Sequence, residues 1–198
     1  MQLKKIEGKL KELLPSDVFE HTIKVKDYSY KLAKAFDFEP EKLILASLLH
    51  DCGKIFNGAE IIFKAEDIGI LITEIMFEEP LEFLHAEMSA YLADTMFNIE
   101  DKEVINAIKY HSFGSDEMGF INKLLFVADK MNNDYEIEEY EMSELERLIF
   151  IDKNLDKAIL KLFNILLKSL IEKNRFIHSQ ILNSRNKILL SIKYGNKI

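Results

Sequence analysis

The stretch EPEKLILASLLHDCGK, residues 39–54, decides the architecture. Proline at position 40 suits the first turn of a helix, where a backbone N–H would have no intrahelical partner. The dense apolar run from Leu43 to Leu49 then predicts a buried helix from Glu41 to about Asp51, with Gly53 as its C-terminal stop. That helix ends on His50-Asp51. A charge beside so much Leu and Ile is costly unless it is paired or metal-bound. Taken alone, the pair reads equally well as a helix end emerging into water.

Upstream, Pro15-Ser16-Asp17 reads as a helix start with Ser16 or Asp17 as the cap. From there Val18, His21, Val25, Tyr28 and Leu32 recur at alternating steps of three and four, which puts them on one helical face. Read singly, His21 is a satisfied core histidine. Downstream, residues 55–79 read as one or two short helices around Gly58 and Gly69. Pro80 opens a helix to about Phe97, and Asp101 to His111 forms the next, stopped near Gly114. Another spans roughly Gly119–Asn132. Beyond an acidic stretch, Leu155–Lys173 is strongly amphipathic and a last helix runs from about Ser179 to Lys193. No segment reads convincingly as a strand. The expected fold is all-α, a compact single-domain helical bundle over residues 1–198, with core motifs at 17–132 and C-terminal helices at 143–193 packed on them.

Composition agrees. The 198 residues are 48% hydrophobic, which excludes a mainly disordered chain, and 7 Gly with 3 Pro are too few for an all-β protein of many tight turns. A net charge of -8 argues against broad nucleic-acid binding, which needs a basic surface. A small polyphosphate substrate stays open, because bound divalent metals invert the local field. The single cysteine, Cys52, cannot form an intramolecular disulfide. MQLKKIEGKLKELLPS at the N-terminus has no signal-peptide apolar core, and no apolar run approaches the roughly 18 residues needed to span a bilayer. No membrane partner is expected, and a cytoplasmic location is.

Four of the five histidines are candidate ligands. Each has a bland reading. His85 could be an exposed first-turn residue, and His111 could sit near a helix C-terminus because a cation is favoured there. Asp129 is harder to dismiss, since it follows Leu124-Leu125-Phe126-Val127-Ala128, a poor place for an unpaired carboxylate. All the bland readings holding together is what strains belief. Imidazole nitrogen with carboxylate oxygen suits Fe, Mn, Zn, Co or Ni.

His21, then His50-Asp51, then Asp129 resembles the H…HD…D signature of the HD superfamily of metal-dependent phosphohydrolases. The chain is further similar to the YqeK-like HD proteins, symmetrical diadenosine-tetraphosphate hydrolases. The similarity rests on FEHTIKV (19–25), ASLLHDCGK (46–54), FLHAEMSAYL (83–92), AIKYHSFG (107–114), KLLFVAD (123–129) and LIEKNRFIH (170–178), in order along nearly the whole chain. The resemblance implies an all-helical fold holding two divalent metals, commonly iron. It implies that His21, His50, Asp51 and Asp129 hold one metal and His85 and His111 the other, with Asp51 bridging. A bridging carboxylate suits two-metal hydrolysis. Asp51 and Lys54, the lysine of an HDxxK pattern, are then the catalytic candidates, Lys54 contacting substrate phosphate. The bland alternative for Lys54 is a solvated helix-end lysine. Ser112 and Gly114 match a turn expected to orient His111. Cys52 reads as a packed side chain, and His178 as structural.

Two departures stand out. The family's arginine three residues before the first histidine is Val18 here, at a spacing from His21 expected to face the pocket. Its I-E-P-x-R continuation after the last aspartate is replaced by Lys130-Met131-Asn132-Asn133-Asp134-Tyr135. Arginine forks grip phosphate through two parallel hydrogen bonds that other side chains do not reproduce. The following Glu136–Glu146 carries six glutamates in eleven residues and reads as a solvated helix or loop.

The leading expectation is therefore symmetrical cleavage of a dinucleoside tetraphosphate to two nucleoside diphosphates by a metal-activated hydroxide. The alternatives are an HD phosphohydrolase of a mononucleotide or other phosphate ester, and a metal-bound regulatory module without turnover. The amphipathic face of Leu155–Lys173 suits core packing first and a partner or homodimer second.

Overall fold

The computed structural model describes residues 2–133 and 137–195, so Asp134, Tyr135 and Glu136 of the two acidic and divergent segments lie outside the described residues. Helix α1 (Gln2–Leu13) precedes α2 (Ser16–Ala35) and α3 (Pro40–Leu49), and a 3-10 turn covers Cys52–Ile55. Then come α4 (Gly58–Asp67), α5 (Glu74–Glu78), α6 (Pro80–Thr95), α7 (Lys102–Tyr110) and α8 (Phe120–Lys130). Helix α9 (Glu139–Glu146) runs into a π-helical turn at Arg147–Ile151, followed by α10 (Leu155–Glu172) and α11 (Ser179–Tyr194). The expected helical bundle is what forms, and the described residues contain no strand.

The three prolines each stand at a helix start. Pro40 and Pro80 occupy the first turns of α3 and α6, where the missing N–H costs nothing. Pro15 directly precedes α2, so Ser16 and Asp17 lie inside that helix and neither side chain caps it. Elsewhere side-chain caps do form. Asn57 accepts from the N–H groups of Ala59 and Glu60 at the start of α4, and Asp101 accepts from those of Glu103 and Val104 at the start of α7.

α3 is the central element, packed against α2, α7 and α8. Its Leu43, Leu48 and Leu49 are fully buried, as is the α8 run Leu124–Ala128. Facing them, α2 contributes Val25 and Leu32 from the apolar face that its sequence period marks out. α10 closes the bundle over α8, with the Phe126 and Phe163 rings 4.5 Å apart. The amphipathic face of α10 is spent on the core, through Ile159, Leu162, Phe163 and Leu166. A small second core joins Ile61 and Ala65 of α4 to Leu84 and Met88 of α6. None of the described helices is long and apolar enough to cross a membrane.

Gly53 corrects one expectation. It does not stop α3, which ends at Leu49; it sits within the 3-10 turn where that turn crosses α6. A β-carbon there would lie 2.4 Å from the His85 carbonyl oxygen and 2.9 Å from the Ser89 nitrogen. The Gly53 N–H donates to Ser89 Oγ at 2.8 Å, locking the contact. Gly53→Ala is expected to destabilise the fold by about 2–4 kcal/mol, because backbone must move to admit the methyl group. Gly69→Ala, at φ +85° but in open space, should cost only about 1 kcal/mol of backbone strain. Urea unfolding measures both, and equal losses would remove the close approach as the deciding constraint.

Candidate metal centre

The ends of α3 and α7, the first turns of α6 and the last turn of α8 meet at one point. His50 caps α3 and His111 caps α7, while His85 lies early in α6 and Asp129 late in α8. His21, near the start of α2, completes the group. Except for His21, whose side chain is 20% exposed, these side chains are almost wholly buried.

The histidine rings are held by their own helices. Nδ1 of His50 donates to the Ser47 carbonyl at 2.7 Å, that of His85 to Leu81 at 2.7 Å, and that of His111 to Ile108 at 2.8 Å. Each bond fixes the tautomer and aims Nε2 at the common centre. His111 thus takes its orientation from Ile108 rather than from Ser112, which lines the cavity beside it. Gly114 earns its place sterically: at φ +71°, a β-carbon would lie 2.8 Å from Ser184 Cβ.

Two nitrogen pairs result. His85 Nε2 lies 3.3 Å from His111 Nε2, and His50 Nε2 lies 3.3 Å from His21 Nε2. In the first pair both Nδ1 atoms already carry the ring proton, so two lone pairs face each other. Burial lowers the pKa of His85, with Lys54 adding to it, and burial holds His111 well below the ordinary value with His50 adding to it. Neutral rings with opposed lone pairs repel unless a cation lies between them. Burial also works against charged His50, but Asp51 and Asp129 outweigh it and raise its pKa.

Asp51 stands between the pairs. Its Oδ1 is 3.5 Å from His85 Nε2 and 3.7 Å from His111 Nε2; its Oδ2 is 3.4 Å from His50 Nε2 and 3.7 Å from His21 Nε2. Oδ1 is buried and lacks a hydrogen-bond partner. A buried carboxylate oxygen without a donor is costly, and a metal ion supplies what the protein does not. Asp129 Oδ1 completes the outer set at 3.1 Å from His21 Nε2 and 3.8 Å from His50 Nε2. Burial would raise both carboxyls, but His50 and Lys54 beside Asp51, and Lys130 and His21 beside Asp129, hold them well below the usual range. The ligand atoms of His21, His50 and Asp51 lie within 4.8 Å of one another, as do those of Asp51, His85 and His111, so two groups that could hold a metal share Asp51. The donor set fits two divalent ions.

Lys54 is no solvated lysine: its Nζ donates to Asp51 Oδ2 at 2.9 Å. Burial alone would lower its pKa, but the Asp51 carboxylate outweighs this and raises it. Cys52 is packed against Ser89, its thiol pushed up to about 12 by burial, and takes no part. His178 stacks on Phe113 at 4.7 Å and accepts the Gln180 N–H, a structural role as its sequence context suggests. Val18 packs on the hydrophobic core and does not line the cavity, contrary to the expectation from its spacing. Nor does any residue of α9, so that part of the acidic stretch stays clear of the site.

Sequence reasoning missed several cavity residues. The cavity, about 240 Å³, opens above Asp51, His85, His111 and Asp129 and is also lined by Glu82, Lys130, Ser169, Lys173 and Arg175. Lys130 was visible next to Asp129, and its Nζ donates to Asp129 Oδ2 at 2.8 Å. Glu82 precedes His85 by one helical turn. Lys173 and Arg175 lie within the matching segment LIEKNRFIH, but no spacing or pattern in it places them beside the histidines, because the end of α10 reaches the cavity only through tertiary packing.

Comparison with known proteins adds the family. The HD domain model matches residues 18–153. The chain is 27% identical over 192 residues to a Staphylococcus aureus protein named bis(5'-nucleosyl)-tetraphosphatase, symmetrical, covering 94% of each chain. It is also 27% identical over 180 residues to a protein of the same name from Halalkalibacterium halodurans, covering 88% of this chain and 90% of that one. Its fold is similar to the crystal structure of a predicted HD superfamily hydrolase involved in NAD metabolism from Clostridium acetobutylicum. The TM-score is 0.83 and the identity 28%, covering 94% of this chain and 96% of that one. The chain belongs to the HD domain family and is a phosphohydrolase of that family.

Proposed function

We propose that this protein splits dinucleoside tetraphosphates symmetrically, releasing two nucleoside diphosphates, with two divalent transition-metal ions held across Asp51. The observation that carries the reading is the pair of facing imidazole nitrogens on either side of one buried carboxylate. His21, His50, Asp51 and Asp129 hold one ion; Asp51, His85 and His111 hold the other. Iron is the metal that the resemblance implies, and manganese, zinc, cobalt and nickel suit the same donors. Two relatives similar over most of the chain carry the name of the symmetrical tetraphosphatase.

When bound, the ions supply the positive charge that polarises a phosphoryl oxygen and the attacking water. The chain supplies the rest. Backbone carbonyls of Ser47, Leu81 and Ile108 keep three rings from turning, so the donors need no reorganisation when the reaction occurs. Asp51, packed beneath Lys54, sets the spacing between the two halves of the centre. Lys54 Nζ lies at the cavity wall, placed to donate to a phosphate oxygen as negative charge builds there. The whole chain acts as one unit in this reading, since the turn that follows α3 and the end of α10 both border the cavity. A mononucleotide is the competing substrate, favoured by the small cavity.

After anaerobic reconstitution with iron, elemental analysis is expected to find about two ions per chain. His85→Ala and His111→Ala should each lose one ion and most activity while staying folded, and Asp51→Ala should lose both. His178→Ala should keep both ions and near-normal turnover. A folded wild-type protein that takes up only traces of metal would end this account.

The products decide the cleavage position. Diadenosine tetraphosphate given to the metal-loaded enzyme should yield adenosine diphosphate alone by chromatography. A mixture of mono- and triphosphate would mean attack at another phosphorus. No cleavage, with turnover of a mononucleotide, would move the reading to the competing substrate.

A further inference from the structure

The cavity has two kinds of wall, and they come from different parts of the chain. Its floor, Asp51, His85, His111 and Asp129, lies within residues 18–153, the segment that the HD domain model matches. Part of its rim lies beyond that segment. Ser169 and Leu170 come from the last turn of α10, Lys173 is the residue that ends that helix, and Arg175 follows in the connection to α11. A cavity of about 240 Å³ is smaller than the roughly 300–1,000 Å³ of pockets that bury a drug-sized ligand. It suits phosphates, and the nucleosides of a dinucleotide must extend across the rim.

That rim is cationic. Arg175 is held in place by Glu79, the residue before α6, through a two-bond fork: Nε to Oε1 at 2.7 Å and Nη2 to Oε2 at 2.8 Å. The fork fixes the guanidinium at the cavity edge and leaves Nη1 outside the pair. Lys173 makes no ion pair or hydrogen bond through its ammonium group among the described residues. The C-terminal carbonyls of α10 would repel an anion at this edge, so only cations there make it accept one. With Lys54 and Lys130 on the inner wall, four cations border the cavity; its lining carboxylates are Asp51, Glu82 and Asp129, and Glu79 pairs with Arg175 from behind.

We infer that Lys173 and Arg175 form a polyphosphate grip on the C-terminal segment, holding the phosphates farther from the metals and so selecting for chain length. The inference rests on the reading of the cavity as a polyphosphate hydrolase site. It places the specificity-determining contacts on the element that carries none of the histidine and aspartate motif. The guanidinium held by Glu79 offers directional hydrogen bonds from a fixed position, while the exposed Lys173 supplies a point charge.

The test uses metal-loaded full-length protein and inorganic tripolyphosphate, followed by calorimetry, with metal content measured before and after each titration. Lys173→Ala and Arg175→Ala should each weaken tripolyphosphate binding about tenfold, the usual scale for one charge-assisted contact. Lys168→Ala, on α10 but outside the cavity lining, should stay within about twofold, the residue of a screened surface charge. Metal content should match the wild type in all three. With diadenosine tetraphosphate, the Michaelis constants of the two rim variants should rise more than their turnover numbers fall. Unchanged tripolyphosphate binding in both rim variants overturns the grip, and so does equal weakening by Lys168→Ala, or a loss that tracks lost metal. If the rim variants weaken tripolyphosphate as expected but the wild type splits no dinucleotide, the grip stands and the proposed substrate falls. If the wild type and both rim variants split it with the same Michaelis constant, the substrate stands and the grip falls.

Discussion

The constraint on which the structure depends is the burial of the Asp51 carboxylate between two pairs of imidazoles. Its two oxygens face opposite ways, Oδ1 toward His85 and His111, Oδ2 toward His50 and His21. A carboxylate with so little exposure has lost its water, and the protein returns hydrogen bonds to only one oxygen. The other is left for an ion. Keeping that arrangement requires five helices to bring a ligand side chain from near one end to within a few ångströms of one point. This explains why α3, α6, α7 and α8 break where they do, and why α2 must lie across them to deliver His21.

The same requirement explains the glycine at position 53. Asp51 can sit over His85 only if the chain that follows it passes hard against the backbone of α6. The His85 carbonyl and the Ser89 amide leave no room for a β-carbon there. The close crossing brings both halves of the candidate site into register, because Asp51 belongs to one partner of the crossing and His85 to the other. Stability and site geometry are therefore set by one contact. A substitution that relaxed it would shift the Asp51 carboxylate relative to one histidine pair.

Much of this was legible in the sequence. The alternating three- and four-residue spacing through Val18, His21, Val25, Tyr28 and Leu32 gave α2 and its inward face, and prolines 15, 40 and 80 marked helix starts, because both signals are local. The six candidate ligands were legible for a different reason. His50-Asp51 and Asp129 were polar groups in or beside an apolar run, where lone burial is costly, whereas His21, His85 and His111 were marked by the resemblance; the structure brings all six together. What could not be read was tertiary. Position 18 shares a face with His21 yet turns into the core, since a helix face one turn deep can border both a cavity and packed side chains. The pairing of Glu79 with Arg175 spans 96 residues and has no local trace. The N-terminal segment carries no motif, yet Ile6 and Leu10 of α1, and Leu14 just after it, are buried in the core.

The division between floor and rim bears on how one fold can serve many substrates. The floor must satisfy strict coordination chemistry, so its residue types and helix ends have little freedom. A rim built from the end of α10 and the connection to α11 has no such duty. Its Lys173 and Arg175 are exposed, and changing them need not disturb the buried core on the other face of α10, where Phe163 meets Phe126. Function in such a fold resides in what is placed around the site rather than in the architecture itself. Here the fixed guanidinium of Arg175 is positioned by Glu79 at the entrance to α6, the helix that carries His85. One ion pair thus ties the rim to the floor, since the same fork that fixes Arg175 ends on the residue preceding the helix that presents a candidate metal ligand.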